Sequence, residues 1–342
     1  MGSPTTDLDK FPVSNDKLLL GEVPVIDIKG LINPLNDKQH QICVQSIAQA
    51  CKDWGFFQIV NHGIQKPLME NMWSHTKWFF QQPENLKSSL LRTRENPWGY
   101  YNNELTKNQR DKKEVFDYTT PGIDPIYHAS NRWPDTQDGF QETMMQYLEA
   151  CTRVSLDLLK AFCTGLDLPS EFLHPHFADN HTGFIRLNYY PVRDPLEASM
   201  IEHLEEADLG VHHHTDAGAL TLLLQDDVGG LQVFRNGQWH DISPNPDAIV
   251  VNTGDMMQVW SNDLYKAAIH RVLAMQSNDR YSIPFFFNPA STCTIGPLST
   301  TITDNRPSRY QPISWKQFRG QRTDGDYADY GTEVQIEQFR KI

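Results

Sequence analysis

The spacing of apolar positions changes character about halfway along the chain. After a polar lead-in of roughly twenty residues that reads as flexible, "PVIDI" predicts a short strand. Over residues 36–53, Val44, Ile47, Ala48 and Cys51 recur on one helical face. "GFFQIVNHG" predicts a buried strand ended at Gly63, and residues 65–82 a second helix stopped by Pro83. Residues 84–133 are rich in turn formers (Pro97, Gly99, Pro121, Gly122, Pro125) and read as loops. A long helix is expected over residues 137–165, with Met144, Leu148, Cys151, Ser155, Leu158, Leu159 and Phe162 toward the core.

Beyond His181 the texture becomes short β-prone runs. Asn236 and Gly237 between "LQVF" and "WHDIS" are a two-residue hairpin signal. From "FIRLNYYP" to "SIPFFF" there are enough strands for a double-stranded β-helix, or jelly roll. The expected class is α+β, with helices packed outside the barrel. Three regions follow: a helix-rich 1–180, a jelly-roll core over 181–298, and a tail over 299–342 in which "SWKQFRGQR" and "EVQIEQFRKI" could be terminal helices.

Composition narrows the class. A net charge of −13 with no offsetting basic tract argues against a nucleic-acid partner, because binding a phosphate backbone needs concentrated positive charge. "LLLG" from Leu18 is too short for a signal-peptide core, and nothing approaches the roughly 20 apolar residues that span a bilayer. Five cysteines without paired spacing fit reduced, buried thiols. The expectation is a cytoplasmic monomer without membrane contact.

The candidate chemistry begins with His214 and Asp216 in "VHHHTDAGALTLLLQD" and continues with His270 in "YKAAIHRVL". Two residues apart on a strand, His214 and Asp216 would share a face. Two imidazoles and a carboxylate suit non-haem iron(II) with positions left open. Arg280 and Ser282 form a second same-face pair, suited to a carboxylate through charge-assisted hydrogen bonds. Asn188 and Tyr190 repeat that spacing and could add polar contacts to the same acid.

In this order and spacing, the motifs resemble the iron(II)/2-oxoglutarate-dependent dioxygenases, in the isopenicillin N synthase-like branch of specialised metabolism. The resemblance runs from "VPVIDIKGL" and "GFFQIVNHGI" through "HTDAGALTLLLQD", "NTGDMMQVWSN" and "HRVL" to "RYSIPFFFNP". It implies iron held by His214, Asp216 and His270. It also implies 2-oxoglutarate with its far carboxylate on Arg280 and Ser282, and O2 as oxidant, giving succinate and CO2. The outcome could be hydroxylation, desaturation or oxidative cyclisation at an aliphatic C–H. Two alternatives stay open: an iron oxidase that uses no 2-oxoglutarate, and a catalytically silent small-acid binding protein.

Arg186 shares the strand parity of Asn188; pointing inward, it would give the pocket a second cation and favour a small carboxylated substrate. Phe286 and Asn288 continue the Arg280 face and could line the cavity, or in the case of Phe286 simply fill core. His212 shares the His214 face and could support the ligand or face substrate. Lys112 and Lys113 read as solvated, and Tyr100, Tyr101, Phe116 and Tyr118 as an aromatic wall or core.

Overall fold

In a computed structural model, the chain is described over residues 22–106, 109–135, 139–178, 180–193, 209–327 and 334–341; the polar lead-in lies outside the described residues. The first half supplies β1 (Val25–Asp27), α1 (Lys29–Ile32), α2 (Asp37–Asp53), β2 (Phe56–Val60), α3 (Lys66–Phe80) and α4 (Glu84–Ser89). It continues with β3 (Gly99–Tyr101), β4 (Leu105–Thr106), β5 (Gln109–Arg110), β6 (Glu114–Thr119) and α5 (Phe140–Gly165). The second half is β7 (Phe184–Tyr190), β8 (Leu209–His214), β9 (Leu220–Gln225), β10 (Leu231–Arg235), β11 (Gln238–Asp241) and β12 (Ile249–Thr253). After these come α6 (Asp255–Trp260), β13 (His270–Leu273), β14 (Arg280–Phe287) and α7 (Trp315–Tyr327).

Two facing sheets make the distorted jelly roll. The larger has strand order β1-β2-β12-β9-β14-β7-β6-β3, and the smaller β11-β10-β13-β8. Only β1 and β2 pair in parallel within the larger sheet. The helices cover its outer face. α2 starts where the Asn36 side chain accepts from the Gln39 amide at 3.0 Å, a cap that contributes about 1 kcal/mol. It buries Val44, Ile47, Ala48 and Cys51 against α5, whose own buried stripe includes Met144, Leu148, Cys151, Leu158 and Phe162. The hairpin forms as its sequence requires: Arg235 pairs with Gln238, and Asn236 and Gly237 take φ of 51° and 80°. The five cysteines are free and buried, and no helix among the described residues is long and apolar enough to cross a membrane.

Residues 84–133 differ from the loop expected. β6 is a strand with all six residues buried, and the N-terminal half contributes four of the larger sheet's eight strands. The charges in "EVFDYT" hide it in the sequence, because their partners come from far away. Lys87 reaches Glu114 at 2.5 Å, Tyr100 donates to the same carboxylate at 2.7 Å, and Arg186 faces Asp117 across the strand pair. Tyr100, Phe116 and Tyr118 join the main core, whereas Tyr101 lies under the Arg92 guanidinium.

In the tail, "SWKQFRGQR" lies in α7 from Trp315 on, whereas the described residues of "EVQIEQFRKI", 334–341, hold a short 3-10 turn at Ile336–Phe339 and no longer helix. Asp263 clamps this end to the barrel, accepting from Arg309 and Arg340 at 2.9 Å and from Tyr310 at 2.5 Å. Burial alone would raise its carboxyl, but the hydrogen bonds from Arg340, Arg309 and Tyr310 hold it down to about 2. A depressed carboxyl stabilises the fold fully above its ordinary value of 3.8 and loses that contribution as pH falls through about 2. Asp263→Asn is therefore expected to lower the urea midpoint at pH 7, with the gap to wild type closing between pH 4 and 2. A gap that persists unchanged at pH 2 would remove the ionic clamp as its cause.

Candidate metal centre

His214 ends β8 and His270 opens β13, and the two are cross-strand partners in the smaller sheet. Asp216 lies two residues beyond the end of β8, where the chain crosses to β9 in the larger sheet. Strand parity therefore does not place it, contrary to the expectation; a fixed turn does. Asp255 N donates to the Asp216 carbonyl at 2.7 Å, Met256 N to Gly218 O at 3.0 Å and Gly254 N to Ala219 O at 3.0 Å. A Cβ on Gly218 would lie 2.0 Å from Asn288 Oδ1, so a side chain there would have to displace the Asn288 amide.

The three side chains offer ligand atoms within 4.8 Å of one another. Asp216 Oδ1 is 3.6 Å from His214 Nε2 and 3.7 Å from His270 Nε2. Behind them, His214 Nδ1 meets His212 O at 2.8 Å and His270 Nδ1 meets Ala268 O at 2.9 Å. A carbonyl only accepts, so each ring carries its proton on Nδ1 and leaves Nε2 on the side of Asp216 Oδ1. Asp216 Oδ2 is occupied by Thr221 Oγ1 and by Asn252 Nδ2 at 2.8 Å, which leaves Oδ1 for the centre. Burial pushes the His214 imidazole well below its ordinary value, so it is neutral as ligation requires.

The two carboxylate-binding pairs expected from sequence lie side by side. β14 and β7 place Arg280 opposite Tyr190 and Ser282 opposite Asn188. Asn188 Nδ2 donates to Ser282 Oγ at 3.4 Å, and the Arg280 guanidinium stands 4.9 Å from the centre of the Tyr190 ring. Arg280 is 0 % exposed, yet Nε, Nη1 and Nη2 all lack a hydrogen-bond partner. A buried guanidinium with five unused donors fits a bidentate acid and little else.

A cavity of about 90 Å³ opens on His214 and Asp216 of the trio, and Arg186, Phe286 and Asn288 all line it. Phe286 stacks on Phe184, with ring centres 4.7 Å apart. Asn288 is turned to donate to Thr182 O at 3.2 Å. Arg186 is not a spare cation: it donates to Asp117 through Nε and Nη2 at 2.8 Å and to Glu104 at 2.6 Å. Lys113, expected in solvent, is buried and holds Glu104 at 2.7 Å and Asp111 at 3.2 Å. With Arg92 on Glu104 and Asp117, three cations meet three acids, so this wall has no net charge. Burial would raise the Glu104 carboxyl, but Arg186, Lys113 and Arg92 outweigh it and hold the group far below the usual range.

His212 turns to Asp111, 3.0 Å from its Nδ1, and does not line the cavity; its carbonyl orients His214, so a substrate contact is not what it makes here. Sequence reasoning missed Thr221 and Asn252 behind Asp216, and Arg319 and Arg322 of α7, which line the cavity. Asn252 precedes the "TGD" of a motif already noticed; the two arginines gave no signal, because only the docking of α7 brings them in.

Residues 181–289 match the 2OG-Fe(II) oxygenase superfamily, and residues 23–136 match the family described as non-haem dioxygenase in morphine synthesis N-terminal. Jasmonate-induced oxygenase 2 of Arabidopsis thaliana is 32% identical over 321 residues, 92% of this chain and 81% of that protein. The crystal structure of JOX2 in complex with 2OG, Fe and JA aligns at a TM-score of 0.79 with 27% identity, covering 99% of both chains. A full-length Neurospora crassa protein in complex with alpha-KG and thymine aligns at 0.76 with 26% identity, over 88% of this chain and 96% of that one. The comparisons favour 2-oxoglutarate use over the oxidase that dispenses with it. This chain belongs to the 2OG-Fe(II) oxygenase superfamily, as an iron- and 2-oxoglutarate-dependent dioxygenase that spends O2 on a small molecule.

Proposed function

We propose that His214, Asp216 and His270 hold the iron, that Arg280 and Ser282 receive the far carboxylate of 2-oxoglutarate, and that the substrate is a small carboxylated metabolite oxidised at an aliphatic C–H. The observation that carries the co-substrate assignment is the fully buried, unpartnered guanidinium of Arg280. Asn188 steadies Ser282, and the Tyr190 ring supports Arg280 from one side. Iron, 2-oxoglutarate and O2 together supply an oxidant that removes hydrogen from carbon, with succinate and CO2 as co-products. The protein's part is placement of the carbon to be attacked.

Charge accounting at the cavity supports an acidic substrate. Arg186 and Lys113 are spent on Glu104, Asp111 and Asp117, whereas Arg319 forms no ion pair among the described residues. Its guanidinium stands 4.8 Å from the Phe184 ring centre, and that ring stacks on Phe286. A flat apolar body against Phe286 with a carboxylate at Arg319 uses both features. The buried free cysteines agree with a reducing, cytoplasmic setting, and a monomer is the state proposed.

Small acids and their methyl esters, screened by succinate release, test the substrate class. Arg319→Gln is expected to cut kcat/KM for the acid about 10–100-fold, the worth of one charge-assisted pair, and to leave the ester nearly unchanged. Equal loss for acid and ester would sink the carboxylate assignment.

A further inference from the structure

Thr215 lies between His214 and Asp216, and its carbonyl is held from outside the barrel. Arg322 of α7 is 5 % exposed, and its Nη2 donates to Thr215 O at 2.8 Å. Through Nη1 the same guanidinium donates to Val334 O at 3.1 Å, in the segment that follows the helix. One side chain thus joins the turn of the metal trio, the C-terminal helix and the chain beyond it.

The next carbonyl along, that of Asp216, accepts from Asp255 N at 2.7 Å. Two successive peptide planes are therefore pinned by donors from different elements, Arg322 on α7 and Asp255 at the start of α6. Asp255 is itself 1 % exposed, so this second donor is as buried as the first. With both carbonyls fixed, the Thr215 peptide cannot rotate without breaking a buried hydrogen bond, and the separation of His214 Nε2 from Asp216 Oδ1 is set before any metal arrives.

We propose that Arg322 is a positioning residue for the metal centre: by fixing the Thr215 carbonyl it sets the spacing of His214 and Asp216, and so makes iron affinity depend on the docking of the C-terminal helix. This rests on the reading that His214, Asp216 and His270 hold iron. Groups that orient ligands typically contribute 10–100-fold to metal affinity, and Arg322 orients two ligands through one peptide.

The test is the iron(II) dissociation constant, measured anaerobically by competition with a chromophoric chelator, for wild type, Arg322→Gln, Arg322→Lys and Lys316→Gln, the last an exposed control on the same helix. The expected result is a Kd raised about 10–100-fold in Arg322→Gln. Arg322→Lys, which keeps the charge and one donor, should fall between it and wild type, and Lys316→Gln should match wild type. At saturating iron, the visible band formed with 2-oxoglutarate should shift or broaden in Arg322→Gln, which a purely structural role would not cause in a folded variant. An unchanged Kd in Arg322→Gln with a native circular-dichroism spectrum overturns the proposal. Should that variant fail to fold, an unchanged Kd in Arg322→Lys does the same. Wild type that takes up no stoichiometric iron would instead overturn the ligand assignment itself.

Discussion

Asp216→Ala is expected to abolish stoichiometric iron(II) binding, with loss of affinity beyond the roughly 10–100-fold that follows removal of a supporting residue. Turnover should fall below detection. Asp216 supplies the only carboxylate of the trio, its Oδ1 faces both Nε2 atoms, and its Oδ2 is already committed to Thr221 and Asn252. No neighbouring water or hydroxyl can replace the charge that offsets a divalent cation in so buried a place. The substitution also strands the donors of Thr221 and Asn252, at about 1–3 kcal/mol per unsatisfied group. Asp216→Asn keeps the volume and should restore most of the thermal stability while leaving iron affinity low. Asn252→Ala, which removes one of the two donors on Oδ2 but keeps the charge, should lie between, about 10–100-fold weaker than wild type. Chelator competition and thermal melting on the three variants give that order; near-native affinity in Asp216→Asn would show that the carboxylate is not a ligand.

What could be seen in the sequence was what local chemistry encodes. The Asn236–Gly237 turn was legible because left-handed φ is a property of those residues themselves. α2 and α5 were legible because their buried faces repeat at helical spacing. The metal trio was legible as a set of residue types, but the reason for its geometry was not. Asp216 stands off the strand, placed by backbone bonds to α6 some forty residues later. β6 reads as loop in the sequence because Glu114 and Asp117 look solvent-facing until Lys87 and Arg186 are brought to them. The same blindness put Lys113 in solvent and made Arg186 a free cation. In each case the error is one of pairing: a buried charge is acceptable only with its partner, and the partner is defined by the fold.

Arg280→Met is expected to move stability and co-substrate affinity in opposite directions. In the absence of 2-oxoglutarate, Arg280 is a fully buried cation with no hydrogen-bond acceptor, supported by the Tyr190 ring at 4.9 Å. That contact returns about 0.5–2 kcal/mol, less than the several kcal/mol that desolvating a guanidinium costs. Methionine fills much of the same space without the charge. The apoprotein should therefore melt at a temperature equal to or higher than wild type. Affinity for 2-oxoglutarate should fall about 100-fold or more, because charge-assisted bonds of about 1.5–3 kcal/mol disappear and a carboxylate is left buried without a partner. Anaerobic titration of the iron-loaded protein reads the affinity from the visible charge-transfer band, and wild type should gain melting temperature with 2-oxoglutarate while the variant does not. Ser282→Ala, which removes one neutral donor, should weaken binding by no more than about tenfold. A variant that melts several degrees lower without ligand would mean that Arg280 is satisfied in the resting protein; one that binds 2-oxoglutarate like wild type would move the carboxylate elsewhere. A site that keeps an unpaired charge in its driest place has traded stability for affinity, and the sign of the melting shift measures that trade.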